Sequence, residues 1–141
     1  MSGEYVQRED VDAVIPAHIL VKALDDDGDG EEDNGLWEKL AAKVQKQVDG
    51  YLAARFSLPL PSIPDLISSA ALTLVCETIY DRAGFSDQEN PWSGRAKGVL
   101  ALLQSIMKGD LGIGDGFESA HGTSGIVSEP SKTYNGGRLM V

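Results

Sequence analysis

Leu36, Leu40, Val44, Val48, Leu52 and Phe56 recur at every fourth position, with Ala41 and Tyr51 beside them. A step of four lays an apolar stripe along one face of an α-helix. The spacing therefore predicts a helix over 36–56, roughly 30 Å long at ~1.5 Å per residue. Lys39, Lys43, Gln45, Lys46, Gln47 and Asp49 fall largely off the stripe and are expected to be wet. No proline interrupts the segment, and Gly50 is its weak point, at ~1 kcal/mol relative to alanine. A rod this long and one-sided needs partners, so the rest of the chain is expected to be organised around it.

Two more segments carry helical spacing. Leu66, Ile67, Ala70, Ala71, Leu74, Val75, Thr78 and Ile79 form a wide apolar face, which predicts the most buried helix of the set. It begins near Pro64-Asp65 with Ser62 as a cap, closes with Arg82 in its last turn and ends at Gly84. Asn90-Pro91 is a start signal for a further helix, which presents Trp92, Ala96, Val99, Leu100, Leu103, Ile106 and Met107 and stops at Gly109. Upstream, residues 8–15 predict a short helix with acids in its first turn, where the helix dipole favours them. Pro16 then starts a second short helix over 16–24, with Ile19, Leu20, Ala23 and Leu24 inward. Residues 1–8 are expected to fray, apart from Tyr5 and Val6.

Between these elements, Asp25 to Gly35 reads DDDGDGEEDNG, with seven acids, three glycines and no apolar residue. It predicts a solvated loop whose last residues, Asp33 or Asn34, cap the long helix. The prolines at 59, 61 and 64 predict an extended stretch, with Leu58, Leu60 and Ile63 pressed onto the core. From Asp110 onward glycine, serine and threonine dominate and no helical period survives. Ile126-Val127 and Leu139-Met140-Val141 are strand-like scraps in what reads as an extended or disordered tail. The expectation is an all-α bundle of five helices, two short and three long, in a domain over 1–111, followed by a flexible arm over 112–141.

Composition narrows the function. The 141 residues carry a formal net charge of −10, which argues against binding nucleic acid or anionic membranes, since both demand clustered Lys and Arg. No apolar run approaches the ~20 residues that span a bilayer. The first ten residues have neither the basic nor the apolar region of a secretory signal, so the protein is expected to stay where it is made. The single cysteine, Cys76, sits in an apolar run and reads as a small buried hydrophobe.

Candidate chemistry is sparse. Asp25, Asp27, Asp29 and Gly30 match positions one, three, five and six of an EF-hand loop. The match then fails, with Glu32 where an apolar residue belongs and Leu36 where a bidentate glutamate belongs. His18 and His121 have no second ligand at metal spacing. The glycines of 109–116 form neither a Walker loop nor a dinucleotide fingerprint. Trp37, Tyr51, Phe56, Tyr80 and Trp92 read as core packing. Arg55 is expected to pair with Asp81 or Glu77 on the next long helix. No nucleophile and base stand together, so no catalytic, cofactor-binding or metal-binding residue is assigned and the chain is not expected to be an enzyme.

The run Asp49-x-Tyr51-Leu52-x-x-Arg55-Phe56-x-x-Pro59 resembles one that recurs in small virion proteins of tailed bacteriophages, the Mu-type relatives of head–tail connector adaptors. Other features follow the same order: Tyr5 before a short helix, Ile15-Pro16, Leu24-Asp25-Asp26, Ile63-Pro64-Asp65-Leu66, Tyr80-Asp81-Arg82, and Leu103, Ile106 and Gly109. The likeness covers about 5–111; the acidic loop is longer than that pattern, and the tail has no counterpart in it. The resemblance implies a helical protein of the virion neck, assembled in the host cytoplasm. It implies a ring of this chain, twelvefold to match the portal, with the portal protein on one side and tail-side connector or tail terminator proteins on the other. Genomic DNA would pass through the lumen without specific binding, and no membrane is involved. It implies no active site and no cofactor, and the tail would add a strand to the portal or a neighbouring subunit. The alternative, from the acidic loop alone, is a calcium-responsive helical binding module.

Overall fold

The computed structural model describes residues 4–113. Five helices follow one another: α1 (Arg8–Asp12), α2 (Ala17–Leu24), α3 (Leu36–Leu52), α4 (Asp65–Arg82) and α5 (Ser93–Lys108). No strand occurs among the described residues, so the body is all-α with two short and three long helices, as the periodicities predict. The expected arm lies outside the described residues apart from Gly112 and Ile113; Ile113 is buried.

The stripe of α3 is inward as expected. Leu40, Val44, Val48 and Leu52 are buried, and Phe56 joins them from beyond the helix end. The helix itself stops at Leu52, four residues short of the predicted Phe56. There the Arg55 and Phe56 amides both donate to the Leu52 carbonyl, at 2.9 and 2.8 Å. This tight turn folds Phe56 back onto the core and frees the chain to enter the proline-rich stretch. Leu58, Leu60 and Ile63 then pack on the core rim.

The axis of the bundle is α4 rather than α3: each of the other four helices packs against it. Ile67, Ala70, Ala71, Leu74, Val75, Cys76 and Ile79 are all buried, and no residue from Ala70 to Tyr80 is exposed. Gly84, at φ 101°, ends α4 in a Schellman motif: the Phe85 amide donates to the Tyr80 carbonyl and the Gly84 amide to that of Asp81, both at 3.1 Å. The apolar contact that accompanies this motif is the edge-on Tyr80–Phe85 pair, 4.9 Å between ring centres.

The helix starts differ from expectation. Gly35, with φ 79°, takes the N-cap position of α3, leaving the Asp33 and Asn34 side chains out of the cap. Pro64 precedes α4, and Ser62 does not cap it. The Asn90 side chain does accept the Trp92 amide at 2.9 Å, but α5 proper begins only at Ser93.

Arg55 pairs with neither Asp81 nor Glu77. Its Nη1 donates to the carbonyls of Ile106, at 3.0 Å, and Leu111, at 3.1 Å, and its guanidinium lies 5.1 Å from the Phe56 ring centre. Ile106 is in the last turn of α5, and its carbonyl also accepts the Gly109 amide at 3.1 Å. The end of α3 is thus tied to the end of α5. Arg55→Ala is expected to lower the unfolding free energy by about 1.5–3 kcal/mol, the range for bonds to a charged group. Arg55→Lys is expected to recover less than half of that, because an ammonium loses the planar fork and the ring contact. Urea unfolding followed by circular dichroism reads both.

Candidate functional site

Two polar constellations stand out from the apolar body. The first joins the N-terminal segment to α3 and α4. Tyr5 and Val6 are buried, so the chain is anchored from its first described residues. The Tyr5 hydroxyl donates to Asp49 Oδ1, its amide donates to Gln45 Oε1 at 3.0 Å, and its carbonyl accepts from Ser68 Oγ at 2.9 Å. Desolvation first, and the Asp49 carboxylate second, hold the Tyr5 phenol above its ordinary pKa. Tyr5, Gln45 and Asp49 together form the wall shared by two surface clefts of about 270 and 300 Å³.

The second constellation is the acidic loop, which is more ordered than its composition predicts. Asp25 acts as its hub: Oδ1 accepts from the amides of Gly28, at 2.8 Å, and Asp29, at 3.2 Å, and Oδ2 accepts from Gly30 at 2.8 Å. Gly28 and Gly30 have φ of 78° and 85°, a region glycine enters without steric cost. The loop closes on itself where the Asp33 amide donates to the Leu24 carbonyl at 2.7 Å and Asp33 Oδ2 accepts the Asp26 amide at 2.8 Å.

Two arginines clamp this loop to the body. Arg8 grips Glu32 with both terminal nitrogens, at 2.8 and 2.6 Å, and its guanidinium lies 5.4 Å from the Trp37 ring centre. Arg82 donates to the Ala23 carbonyl at the end of α2, at 2.9 Å, and to Asp26 at 2.7 Å. Glu32, the residue that breaks the EF-hand pattern, is thus a structural anchor.

Closure gathers carboxylate oxygens of Asp25, Asp27, Asp29 and Asp33 within 4.8 Å of one another. Three of these four were legible by spacing. Asp33 was not, because the EF-hand register puts Leu36 at the closing position. One Asp33 oxygen, Oδ1, is buried without a hydrogen-bond partner. Crowding shows in the titration. Asp27 is pushed up to about 6, above all by its hydrogen bond to Asp25. Desolvation works against ionisation of Asp25, but the Gly30, Gly28 and Asp29 amides and the bond from Asp27 hold it below the ordinary carboxylate value. These oxygens are hard ligands of the kind calcium or magnesium takes.

The remaining sequence candidates fall as follows. His18 is exposed, and His121 lies outside the described residues, as do 114–116 of the glycine-rich run. Cys76 is fully buried, and burial pushes its thiol up to about 12. Phe56 is buried, and Trp37, Tyr51, Tyr80 and Trp92 pack half-buried against the core.

The pH dependence of stability follows from these groups. Asp27 and Glu77 are raised in the folded protein, so the fold binds their protons more tightly than the unfolded chain. Their contribution grows as pH falls and is fully present below the unfolded value of ~4. Asp25, Asp87 and Glu89 are lowered; their contribution is present above ~4 and is lost as pH falls further. The melting temperature is expected to be higher at pH 5.5 than at pH 7.5 and to drop below pH 4, with Asp27→Asn flattening the upper limb. Thermal melts across that range check it.

Comparison with known proteins gives one family. The model of the family described as Bacteriophage Mu, Gp36 matches residues 5–126, which is most of the chain. No curated protein matches it.

Proposed function

We propose, on the premise that this chain belongs to the bacteriophage Mu Gp36 family, that it is a structural virion protein of the neck. In this reading it is an adaptor without catalytic activity that forms a ring beneath the portal and joins capsid to tail. The observation that carries the proposal is the family match, which spans the helical body from Tyr5 onward. The geometry supports it. Asp49 holds Tyr5 and Arg55 holds the end of α5, so the polar residues of the Asp49–Pro59 run act inside the fold, as ties in a rigid brick. The formal charge of −10 suits a lumen wall that DNA slides past, because like charges disfavour adhesion to phosphate. The partners are the portal protein, tail-side connector or terminator proteins, and further copies of this chain in a twelvefold ring.

Electron microscopy of virions, or of the protein mixed with portal, tests this. The expected result is five-helix bodies repeated in a ring between portal and tail. Density for the chain elsewhere in the particle, or its absence from the particle, sinks the adaptor reading.

A second reading is favoured by one observation, the convergence of Asp25, Asp27, Asp29 and Asp33. It makes the acidic loop a calcium-responsive element. Titration calorimetry with calcium is expected, on this reading, to give a micromolar site that weakens as pH falls through about 6, where Asp27 takes a proton. No heat at millimolar calcium eliminates it.

A further inference from the structure

Between α4 and the start of α5 the surface opens into a cleft of about 230 Å³. Asn90 builds it: Nδ2 donates to the Glu77 carbonyl at 3.0 Å while Oδ1 accepts the Trp92 amide at 2.9 Å, which brings the turn before α5 against α4. Leu74 and Leu100 give the cleft apolar walls, and Glu77, Thr78, Asp87, Ser93 and Lys97 are its charged and hydroxyl groups.

Two of these groups stand out. Glu77 is half-buried, yet no cation stands within ion-pair distance of it among the described residues. Desolvation first, then the charges of Asp81 and Asp87, raise its pKa. Ser93 is 6% exposed, and its Oγ has no hydrogen-bond partner. The Ser93 hydroxyl and then Lys97 hold the Asp87 carboxyl low. Asp87 itself is occupied by Lys97, at 3.1 Å.

Apolar walls with a half-buried carboxylate and a hydroxyl at one end suit a long aliphatic chain with a cationic head. A metal ion suits the cleft poorly. Among the described residues only Asp25, Asp27, Asp29 and Asp33 bring their oxygens close enough together to share one.

The same chain carries the complementary surface. Lys39, Lys43 and Lys46 are exposed and lie on the face of α3 opposite its buried stripe, at spacings that align side chains along a helix. None of them makes an ion pair among the described residues. Resting on the reading that the chain works beside copies of itself, we infer that the Glu77 cleft receives a lysine from the α3 stripe of a second copy. An ion pair between fully solvated groups contributes little. Glu77 differs in being half-buried with no cation beside it, so a cation that reaches it meets a carboxylate already partly shielded from water.

The test uses the full chain, free in solution and in intact virions. It is treated with a carbodiimide, which joins a carboxylate to an amine without a spacer. Mixing isotopically light and heavy copies distinguishes links between chains from links within one. The expected products join Glu77 of one copy to Lys39, Lys43 or Lys46 of another. Glu77→Gln is expected to abolish them and to weaken self-association about tenfold without lowering the melting temperature of the single chain, and Lys43→Glu with Lys46→Glu to weaken it similarly. Mixing the double lysine variant with Glu77→Lys chains is expected to restore association. The inference is overturned if Glu77 links only to a different virion protein, if neither sample yields a link between copies, or if Glu77→Gln associates like the parent. A ring seen in the neck without these links leaves the adaptor reading standing and removes this one. Linked copies found outside the neck do the reverse.

Discussion

Everything in this fold answers to the lack of a wet side on α4. From Ala70 to Tyr80 no residue is exposed, so most of the helix circumference must be covered, with Glu77 and Thr78 at the edge of a surface cleft. Burying each Leu, Ile or Val there is worth about 1.5–3 kcal/mol relative to leaving it exposed. That gain is available only if neighbours cover all of it at once. The other helices are each one-sided and supply the cover. The long stripe of α3, from Leu40 to Leu52, is one wall; α2, α5 and the short α1 are the others.

Apolar cover has no direction of its own, and here arginines fix it. Arg55 ties the end of α3 to the end of α5, Arg82 ties α4 to the end of α2, and Arg8 ties the N-terminal helix to the acidic loop and Trp37. In the first two cases a cation meets a carbonyl in a helix's last turn, where the macrodipole also favours it. Together with the Tyr5–Asp49 bond, these contacts set each element at a fixed height along α4.

How much of this was legible is best seen residue by residue. The period-four stripe identified α3 and its inward residues, because a one-sided helix writes its burial into its spacing. The same signal drew attention to the wrong axis. A helix covered on all sides has no favoured face, so α4 could be recognised as deeply buried but not as the centre. Arg55 was matched to the wrong acceptors because sequence reasoning pairs charge with charge, while its real partners are backbone carbonyls 51 and 56 residues away. The cap positions failed for a similar reason. Gly35 can adopt a backbone that Asp33 and Asn34 adopt at a cost, which leaves Asp33 to close the loop instead. That closure brings it beside Asp25, Asp27 and Asp29, a neighbourhood no linear template contained.

The fully enclosed position of Cys76 bears on durability. Proteins held shoulder to shoulder at very high local concentration are prone to oxidation across their seams, because any accessible sulfur meets another within its reach. With its only sulfhydryl sealed in the bundle and kept protonated, this chain offers no thiolate to start such a reaction. Copies of this chain brought into contact in an oxidising medium would not be joined covalently through its sulfur.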